Sequence, residues 1–341
     1  MSIPPRWRTT SSATPERWCV CSVHPRSDSK PGWRCRFPDR GRQQIMSGDT
    51  DQTRRSFHDK WHHNRDAAFR ETLRAGSDIQ AWILGRNGFA DRDAFAAYLS
   101  RFARILDAGC GNGRVTALLR ELSRPQTEIV GADLVASRIA EANLAGAANV
   151  SFRDADLLGD LAALGSFDFI YCQEVLHHTS DPQGAFTNLC SLLAPGGEIA
   201  IYVYRRKAPA REFVDDFVRA RMAGLEYTEA SAMARQITDF GRALAESGAK
   251  VTVPAVPVLD IKAGEYDVQR LVYHFFMKCF WNPDLSLDDN VAINYDWYHP
   301  QLCSRHTIDE VRGWFEAAGL SVIHALEDHY GITMRGRRKG G

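Results

Sequence analysis

The segment ILDAGCGNGRVT, residues 105–116, constrains the fold of this chain more than any other part of the sequence. Its first residues have the apolar composition of a buried strand, and Gly109, Gly111 and Gly113 follow before a run with helical spacing. Glycine permits positive φ and lets a ligand approach the backbone, while the first turn of a helix offers free N–H groups. The segment therefore predicts a strand, a ligand-binding turn and a helix in succession.

Short β-rich runs alternate with helical runs after Arg101, a pattern typical of a parallel sheet covered on both faces. Asp181 and Pro182 mark one helix start, and Thr307 with Glu310 forms a capping box at another. The pattern predicts an α/β fold with a doubly wound, mostly parallel sheet. The predicted strands are residues 103–108, 128–133, 150–154, 167–172 and 198–204, with two more at 321–326 and 331–337.

Two residues restrict the ligand of the glycine-rich turn. Arg114 stands where the dinucleotide fingerprint G-x-G-x-x-G requires glycine, which disfavours a nicotinamide cofactor. Asp133 ends the next strand, where an acceptor for ribose hydroxyls is expected. The pattern thus favours a nucleoside-containing ligand other than a dinucleotide.

Further motifs follow along the chain: LDAGCGNGR (106–114), GADL (131–134), FRDADL (152–157), FDFIYCQEVLHH (167–178) and LLAPGGEIAIYVY (192–204). In this order and at this spacing they resemble the class I S-adenosylmethionine-dependent methyltransferases, over about residues 57–338. The resemblance implies a Rossmann-like, seven-stranded sheet whose final strand is antiparallel, with S-adenosyl-L-methionine as cofactor.

The resemblance also implies which residues contact the cofactor. Asp107 and the glycine-rich backbone would face its methionine part, and Asp133 would accept from both ribose hydroxyls. Asp154 with Ala155 would meet the adenine, and Gln173 would border the sulfonium. The full expected set is Asp107, Gly109, Gly111, Gly113, Asp133, Leu134, Asp154, Ala155 and Gln173.

A general base is needed only if the methyl acceptor loses a proton. His177, His178 and Glu174 follow the fourth predicted strand, and we take His178 as the catalytic candidate because imidazole titrates near neutrality. A structural hydrogen bond would explain a histidine there equally well.

No metal site is predicted. His58, His62 and His63 fit a solvated helix face better than a site without carboxylate or cysteine partners. The spacing of Cys19, Cys21, His24 and Cys35 matches no common zinc pattern.

Five regions are expected along the chain. Residues 1–46, with nine basic residues against three acidic and many prolines, predict a disordered basic extension. A transit peptide and a true start at Met46 are the alternatives for this region. The remaining regions are a helical segment at 56–100 that packs over a later site, a cofactor-binding core at 101–204, an insert at 205–303, and a last helix with two strands at 304–338.

The insert is predicted to be a helical and aromatic lid. One amphipathic helix would bury the stripe Phe213, Val214, Phe217, Val218 and Met222, and a second would leave His274 and Lys278 facing solvent or a cleft. The run NYDWYHP, residues 294–300, predicts a loop, which either lines the acceptor through Tyr295, Trp297 and Tyr298 or packs internally.

Composition narrows the function classes. Residues 47–341 carry 33 basic and 39 acidic side chains, which disfavours a nucleic-acid partner, and no apolar run is long enough to span a membrane. Scattered cysteines without a secretory segment predict a soluble, cytoplasmic protein. The expected function is methyl transfer to a small-molecule or soluble metabolite acceptor, and the alternative is a non-catalytic S-adenosylmethionine-binding module.

Overall fold

The alternation of strands and helices runs through residues 47–340, which the computed structural model describes. The predicted extension at 1–46, with its cysteines, His24 and Met46, lies outside the described residues. The strands are β1 (Arg104–Ala108), β2 (Glu128–Asp133), β3 (Val150–Asp154), β4 (Phe167–Gln173), β5 (Leu193–Tyr204), β6 (Lys250–Val253), β7 (Gly264–Asp267), β8 (Leu320–Glu327) and β9 (Gly331–Arg338). The helices are α1 (Ser47–His63), α2 (Phe69–Leu73), α3 (Asp78–Arg86), α4 (Arg92–Leu99), α5 (Arg114–Leu122), α6 (Ser137–Asn143), α7 (Pro182–Ser191), α8 (Pro209–Met222), α9 (Tyr227–Glu246), α10 (Val268–Phe275), α11 (Leu287–Tyr298) and α12 (Ile308–Ala317).

Seven strands form one sheet in the order β3-β2-β1-β4-β5-β9-β8. The first five are parallel, whereas β9 runs antiparallel to both β5 and β8. This topology confirms the predicted doubly wound, mostly parallel seven-stranded sheet. The strand order reverses at β1, and in such sheets ligands bind outside the carboxyl ends of the strands at this point.

The sheet is buried on both faces because successive strand residues point to opposite sides. Ile105 and Phe169 pack in one cluster with apolar residues of α3, α4 and α5. Leu106 and Ile170 pack in the opposite cluster with Phe186 of α7 and residues of α12. The predicted caps are present, since Asp181 accepts from Gly184 N and Thr307 with Glu310 forms the capping box of α12.

The helical N-terminal segment begins earlier than the predicted residue 56. Helix α1 already begins at Ser47, and three shorter helices follow it before β1. Ser77 and Asp91 cap α3 and α4 by accepting from backbone N–H groups in the first turn. None of the helices within residues 47–340 is long and apolar enough to cross a membrane.

The region between β5 and α12 contains helices α8 to α11 and a short hairpin of β6 and β7, and the hairpin was not predicted from the sequence. The prediction of a loop at 294–300 is wrong, because residues up to Tyr298 belong to α11. Asn290 and Asn294 face inward from this helix, and their side-chain amides donate to the Asn282 and Phe280 carbonyls. These buried amides hid the apolar period that identifies a helix.

The predicted buried face of α8 is wrong for its two phenylalanines, whereas Met222 of the same stripe is buried and Val218 packs against the core. Phe213 and Phe217 are 74% and 49% exposed, while Arg211, Asp215 and Arg219 are buried. Arg211 Nε lies 3.1 Å from Asp215 Oδ2, and Arg219 Nη2 donates to the Trp297 carbonyl at 2.7 Å. Paired charges thus take the inner face of the helix, and its phenylalanines face outward.

Candidate functional site

The glycine-rich turn lies between β1 and α5, held against the end of β2. Gly109 N donates to the Ala132 carbonyl at 2.7 Å, and Gly109 and Gly111 have φ of +77° and +53°. A Cβ on Gly111 would lie 2.7 Å from the ring of Trp61, which reaches the turn from α1. Glycine is therefore required both by the backbone conformation and by the closeness of α1.

Asp133 fastens this turn to the end of β2. Its Oδ2 accepts from Gly111 N at 2.9 Å, and its Oδ1 accepts from the backbone amides of Val135 and Ala136, each at 2.9 Å. A carboxylate offers about four lone-pair sites, so acceptor capacity remains at Oδ2. The carboxylate therefore has a structural role and can also accept from a ligand hydroxyl.

Asp107 is buried at the end of β1, where its Oδ2 accepts from Thr116 Oγ1 at 2.6 Å. Burial raises the pKa of Asp107 to about 7, against the lowering effect of the Thr116 hydrogen bond and of Arg114. Burial thus favours the neutral form of this carboxyl group.

A cavity of about 200 Å³ opens at the carboxyl ends of β1, β2 and β4, and residues of α1 form its opposite wall. This cofactor cavity gathers most of the predicted cofactor residues. Those at its lining are Asp107, Gly109, Gly111, Asp133, Leu134, Ala155 and Gln173, together with His178. Gly113 lies outside the lining, in the left-handed conformation before α5.

Asp154 is not among the residues that line this cavity, and its adenine contact stays a prediction. Strand β3 ends at this residue, and its exposed carboxylate accepts from the Ser137 hydroxyl at the start of α6. Asp156 lines the cavity instead, with its Oδ1 accepting from Leu158 N at 2.9 Å. The sequence motif contains both aspartates, and only the bend after β3 distinguishes them.

Gln173 brings an unsatisfied donor to the cofactor cavity. The hydroxyl of Tyr171 donates to Gln173 Oε1, which fixes the orientation of the amide. Within residues 47–340 the buried Nε2 has no hydrogen-bond partner. Because an unpaired buried amide is costly, Nε2 is suited to donate to an acceptor atom of a ligand.

His178 lines the cofactor cavity, and its Nδ1 lies 2.7 Å from the Leu302 carbonyl. A carbonyl only accepts, so Nδ1 carries the proton and Nε2 keeps its lone pair. Burial lowers the pKa of His178 to about 4, so the ring is neutral near pH 7. His177 instead packs its ring 3.7 Å from that of Tyr204 and does not line the cavity.

A second cavity of about 360 Å³ lies between the end of β5 and the insert. It adjoins the cofactor cavity, because five residues line both: Lys60, Trp61, Arg114, Glu174 and Asp296. Glu174 has φ of +60°, which is uncommon for a residue with a side chain and is often found at functional sites. Its Oε2 lies 3.5 Å from Arg114 Nη2.

The three aromatic residues predicted to face the acceptor occupy different positions. Trp297 lines the second cavity. Tyr295 stacks on His299 with ring centroids 4.6 Å apart, and the Tyr298 hydroxyl lies 2.8 Å from Asp215 Oδ1. Tyr295 and Tyr298 thus pack inside the insert, because α11 directs only one of the three rings to the cavity.

Some lining residues were not identified from the sequence. The second cavity is also lined by Lys60, Lys207, Arg211 and Asp296. Lys278 is buried at this cavity, which agrees with the expectation that it faces either solvent or a cleft. These residues come from separate elements, and neither spacing nor a motif links them. No cluster of three or more possible metal ligands occurs among the described residues.

A family model of the methyltransferase domain matches residues 99–248. The match covers somewhat less than half of the chain and shows that these residues are similar to methyltransferase domains. The match spans the glycine-rich turn, Asp133, Gln173 and His178, and it confirms the family that the sequence motifs predicted.

Relatives of the methyltransferase domain cover part of the chain. An uncharacterized protein of Synechococcus sp. is 44% identical over 107 residues, which are 30% of this chain and 25% of that protein. The ubiquinone biosynthesis O-methyltransferase of Xanthomonas oryzae is 34% identical over 113 residues, 32% of this chain and 46% of the relative. The matched regions therefore span between a quarter and a half of the relatives' own length.

A solved structure with a similar arrangement is the 1,6-didemethyltoxoflavin-N1-methyltransferase of Burkholderia thailandensis, with bound 1,6-didemethyltoxoflavin and S-adenosylhomocysteine. It is 17% identical, the match covers 86% of this chain and 89% of that one, and the TM-score is 0.44.

Proposed function

We propose that this protein transfers a methyl group from S-adenosylmethionine to a small-molecule acceptor. The observation that carries the proposal is the junction of two cavities at Glu174, Lys60 and Asp296. One cavity lies at the switch point of the sheet, where a nucleoside ligand is expected, and the other offers separate room for an acceptor. The O-methyltransferase name of the Xanthomonas oryzae relative also supports a small acceptor.

The residues present fit this cofactor. Asp133 Oδ2 has spare acceptor capacity for a ribose hydroxyl, and Asp156 offers a carboxylate for an exocyclic amine. The unpaired Nε2 of Gln173 supplies a buried donor. A sulfonium methyl donor brings its own leaving group, so the protein has mainly to orient the reactants and exclude water.

Helix α1 is suited to the exclusion of water. Trp61 packs on the turn at Gly111, and Phe57 lies edge-on to His178 with ring centroids 4.8 Å apart. Both side chains line the cofactor cavity on the side opposite the sheet. We infer that α1 closes this cavity from solvent, and closure of a site is a common contribution to group transfer.

If the methyl acceptor must lose a proton during transfer, we propose that His178 takes up that proton. Its Nε2 has a free lone pair and its ring is neutral near pH 7. A pKa of about 4 makes it a weak base, so it would serve best where the acceptor is already acidic. Glu174, at the junction of the cavities, is the alternative proton acceptor.

Calorimetry of the full chain with S-adenosylmethionine, S-adenosylhomocysteine and NAD tests the cofactor assignment. The first two should bind and NAD should not. Incubation with S-adenosylmethionine and a fractionated small-molecule extract should then yield S-adenosylhomocysteine. Binding without product in any fraction would favour the non-catalytic module, and preferential binding of NAD would contradict the cofactor assignment.

A further inference from the structure

The second cavity has a cationic end formed by four residues of the insert: Lys207, Arg211, Arg270 and Lys278. Lys207 follows β5, Arg211 lies on α8, Arg270 lies on α10 and Lys278 follows α10. The positive charges are close enough that Arg211 and Lys278 each lower the pKa of Lys207, in addition to its burial. An anion in this part of the cavity would stabilise the charged forms of these side chains.

Protein groups neutralise part of this cationic end. Asp215 is fully buried and accepts from Arg211 Nε at 3.1 Å, from Trp297 Nε1 at 2.8 Å and from Lys278 N at 3.0 Å. Lys207 Nζ donates to the carbonyls of His329 and Tyr330, which are dipoles without net charge. Asp215 thus balances one of the four cations.

Among the described residues, the ammonium of Lys278 and the guanidinium of Arg270 donate no hydrogen bond to another side chain or to the backbone. Lys278 Nζ lies 4.7 Å from the centre of the Trp297 ring, and Arg270 Cζ lies 5.8 Å from that of Tyr273. Burial lowers the pKa of Lys278 to about 8. A charged group in this position is stabilised by an anion that enters the cavity.

The acidic residues that line this cavity each have another partner or face solvent, although Asp296 and Glu174 also lie near enough to Lys278 to oppose the lowering of its pKa by burial. Asp296 pairs with Lys60, and Glu174 pairs with Arg114, at the junction with the cofactor cavity. Asp289 accepts from Ala68 N and from the Ser286 hydroxyl, and Asp78 is exposed in the first turn of α3. The cationic end therefore has an excess of positive charge.

Much of the wall of the second cavity is aromatic. The aromatic residues that line it are Trp61, Trp82, Tyr202, Tyr204, Tyr273, Phe280, Trp297 and Tyr330. Flat aromatic surfaces bind planar rings through large contact areas and favourable stacking geometry.

We propose that the methyl acceptor is an aromatic acid. Its carboxylate or phosphate would bind Lys278, Lys207 and Arg270, its ring would lie along the aromatic wall, and its nucleophilic atom would face the junction at Glu174. This proposal rests on the proposed function, since it names the acceptor class of the same site. The charge excess and the aromatic wall support it independently of the cofactor.

Four naphthalene probes of similar size test the charge preference: 2-naphthoate, 2-naphthyl phosphate, 2-naphthylmethanol and 2-naphthylmethylamine. Each is titrated into the full chain saturated with S-adenosylhomocysteine. At least one anion should bind tenfold or more tightly than the alcohol, and the amine should bind most weakly. The order of the two anions distinguishes a carboxylate acceptor from a phosphate acceptor.

Lys278→Gln keeps much of the side-chain length and removes the charge. It should reduce the preference for the anion over the alcohol at least fivefold while leaving S-adenosylhomocysteine affinity within about twofold. Lys250→Gln, on the exposed hairpin, is the control and should change neither value. Melting temperatures of both variants show whether they are folded.

Equal binding of anion and alcohol, tighter binding of the amine, or no binding of either anion at millimolar concentration would overturn this proposal. An anion preference that Lys278→Gln leaves unchanged would overturn the assignment of the cationic end. Failure of the proposed function and failure of this proposal can be distinguished. The first appears as loss of S-adenosylhomocysteine binding, whereas the second appears in the separate titrations that measure anion selectivity.

Discussion

Lys60 Nζ lies 3.1 Å from Asp296 Oδ2, so α1 is joined to α11 by an ion pair where the two cavities meet. Both side chains are largely buried, at 12% and 20% exposure. Although burial alone would raise it, the pKa of Asp296 is lowered because Lys60, His178 and Lys278 lie nearby. The pair thus couples the helix that covers the cofactor cavity to the helix that borders the second cavity.

Lys60→Met should lower the free energy of unfolding by about 1–3 kcal/mol, because it leaves the Asp296 carboxylate without its nearest cation. The double variant Lys60→Met/Asp296→Asn should recover part of this loss. Lys250→Met is the matched control, since the Lys250–Glu265 pair has a similar distance of 3.2 Å but is exposed. It should change stability by less than about 0.5 kcal/mol in the same denaturant titration.

A second prediction separates the two aspartates after β3. Asp156→Ala should weaken S-adenosylmethionine binding by roughly 1.5–3 kcal/mol, or about tenfold to a hundredfold in Kd, because a carboxylate acceptor at the cavity is lost. Asp154→Ala should keep the Kd within about threefold, since its carboxylate bonds Ser137 outside the cavity. If calorimetry instead shows a larger increase in Kd for Asp154→Ala than for Asp156→Ala, the result supports the adenine contact predicted for Asp154.

The sequence predicted the sheet well because its signals are local and repeated. Apolar strands, helix caps and the glycine-rich turn each depend on neighbouring residues, and the parallel topology follows from their alternation. The cofactor cavity was predictable for the same reason, since Asp107, Asp133 and Gln173 all lie at carboxyl ends of strands. After β3 the sequence alone did not show that Asp156, rather than Asp154, lines the cavity.

The second cavity was much less predictable. Lys60, Lys207 and Lys278 are far apart in sequence and become neighbours of one cavity through tertiary packing. The inner face of α8 carries buried charged side chains, so the spacing of its apolar residues indicated the wrong face for its two phenylalanines. The inner face of α11 carries buried amide side chains, so the spacing of its apolar residues did not indicate a helix. Periodicity identifies a buried face only where that face is apolar.

Helix α8 allows a direct test of its inverted face. Phe213→Ser should change the free energy of unfolding by no more than about 0.5 kcal/mol, because the ring is exposed. Arg211→Met, two residues earlier, should cost about 3–5 kcal/mol, because it leaves the buried Asp215 carboxylate without its cation. Chemical denaturation of both variants gives the comparison. A larger loss for Phe213→Ser would mean that the stripe predicted from the sequence faces the core.

The last prediction concerns acid stability and His178. Its folded pKa is lowered by burial to about 4, against about 6.5 for an unfolded histidine. Between these values the unfolded chain binds the extra proton, so the free energy of unfolding must fall as pH decreases from about 6.5 to about 4. Asp296, Lys60 and Arg219 are the charged groups that face this ring, and Asp296 and Lys60 offset each other as an ion pair.

His178→Gln removes this contribution. The difference in unfolding free energy between pH 7 and pH 5 should shrink by on the order of 1–2 kcal/mol relative to the unsubstituted protein. Half-buried His274 and His306, whose pKa values burial lowers to about 3 and about 4, should keep part of the acid sensitivity in the variant. His58→Gln, at an exposed position of α1, is the control and should leave the difference unchanged. If His178→Gln also leaves it unchanged, the histidine is protonated in the folded state at pH 5, and Nε2 is then no free proton acceptor at that pH.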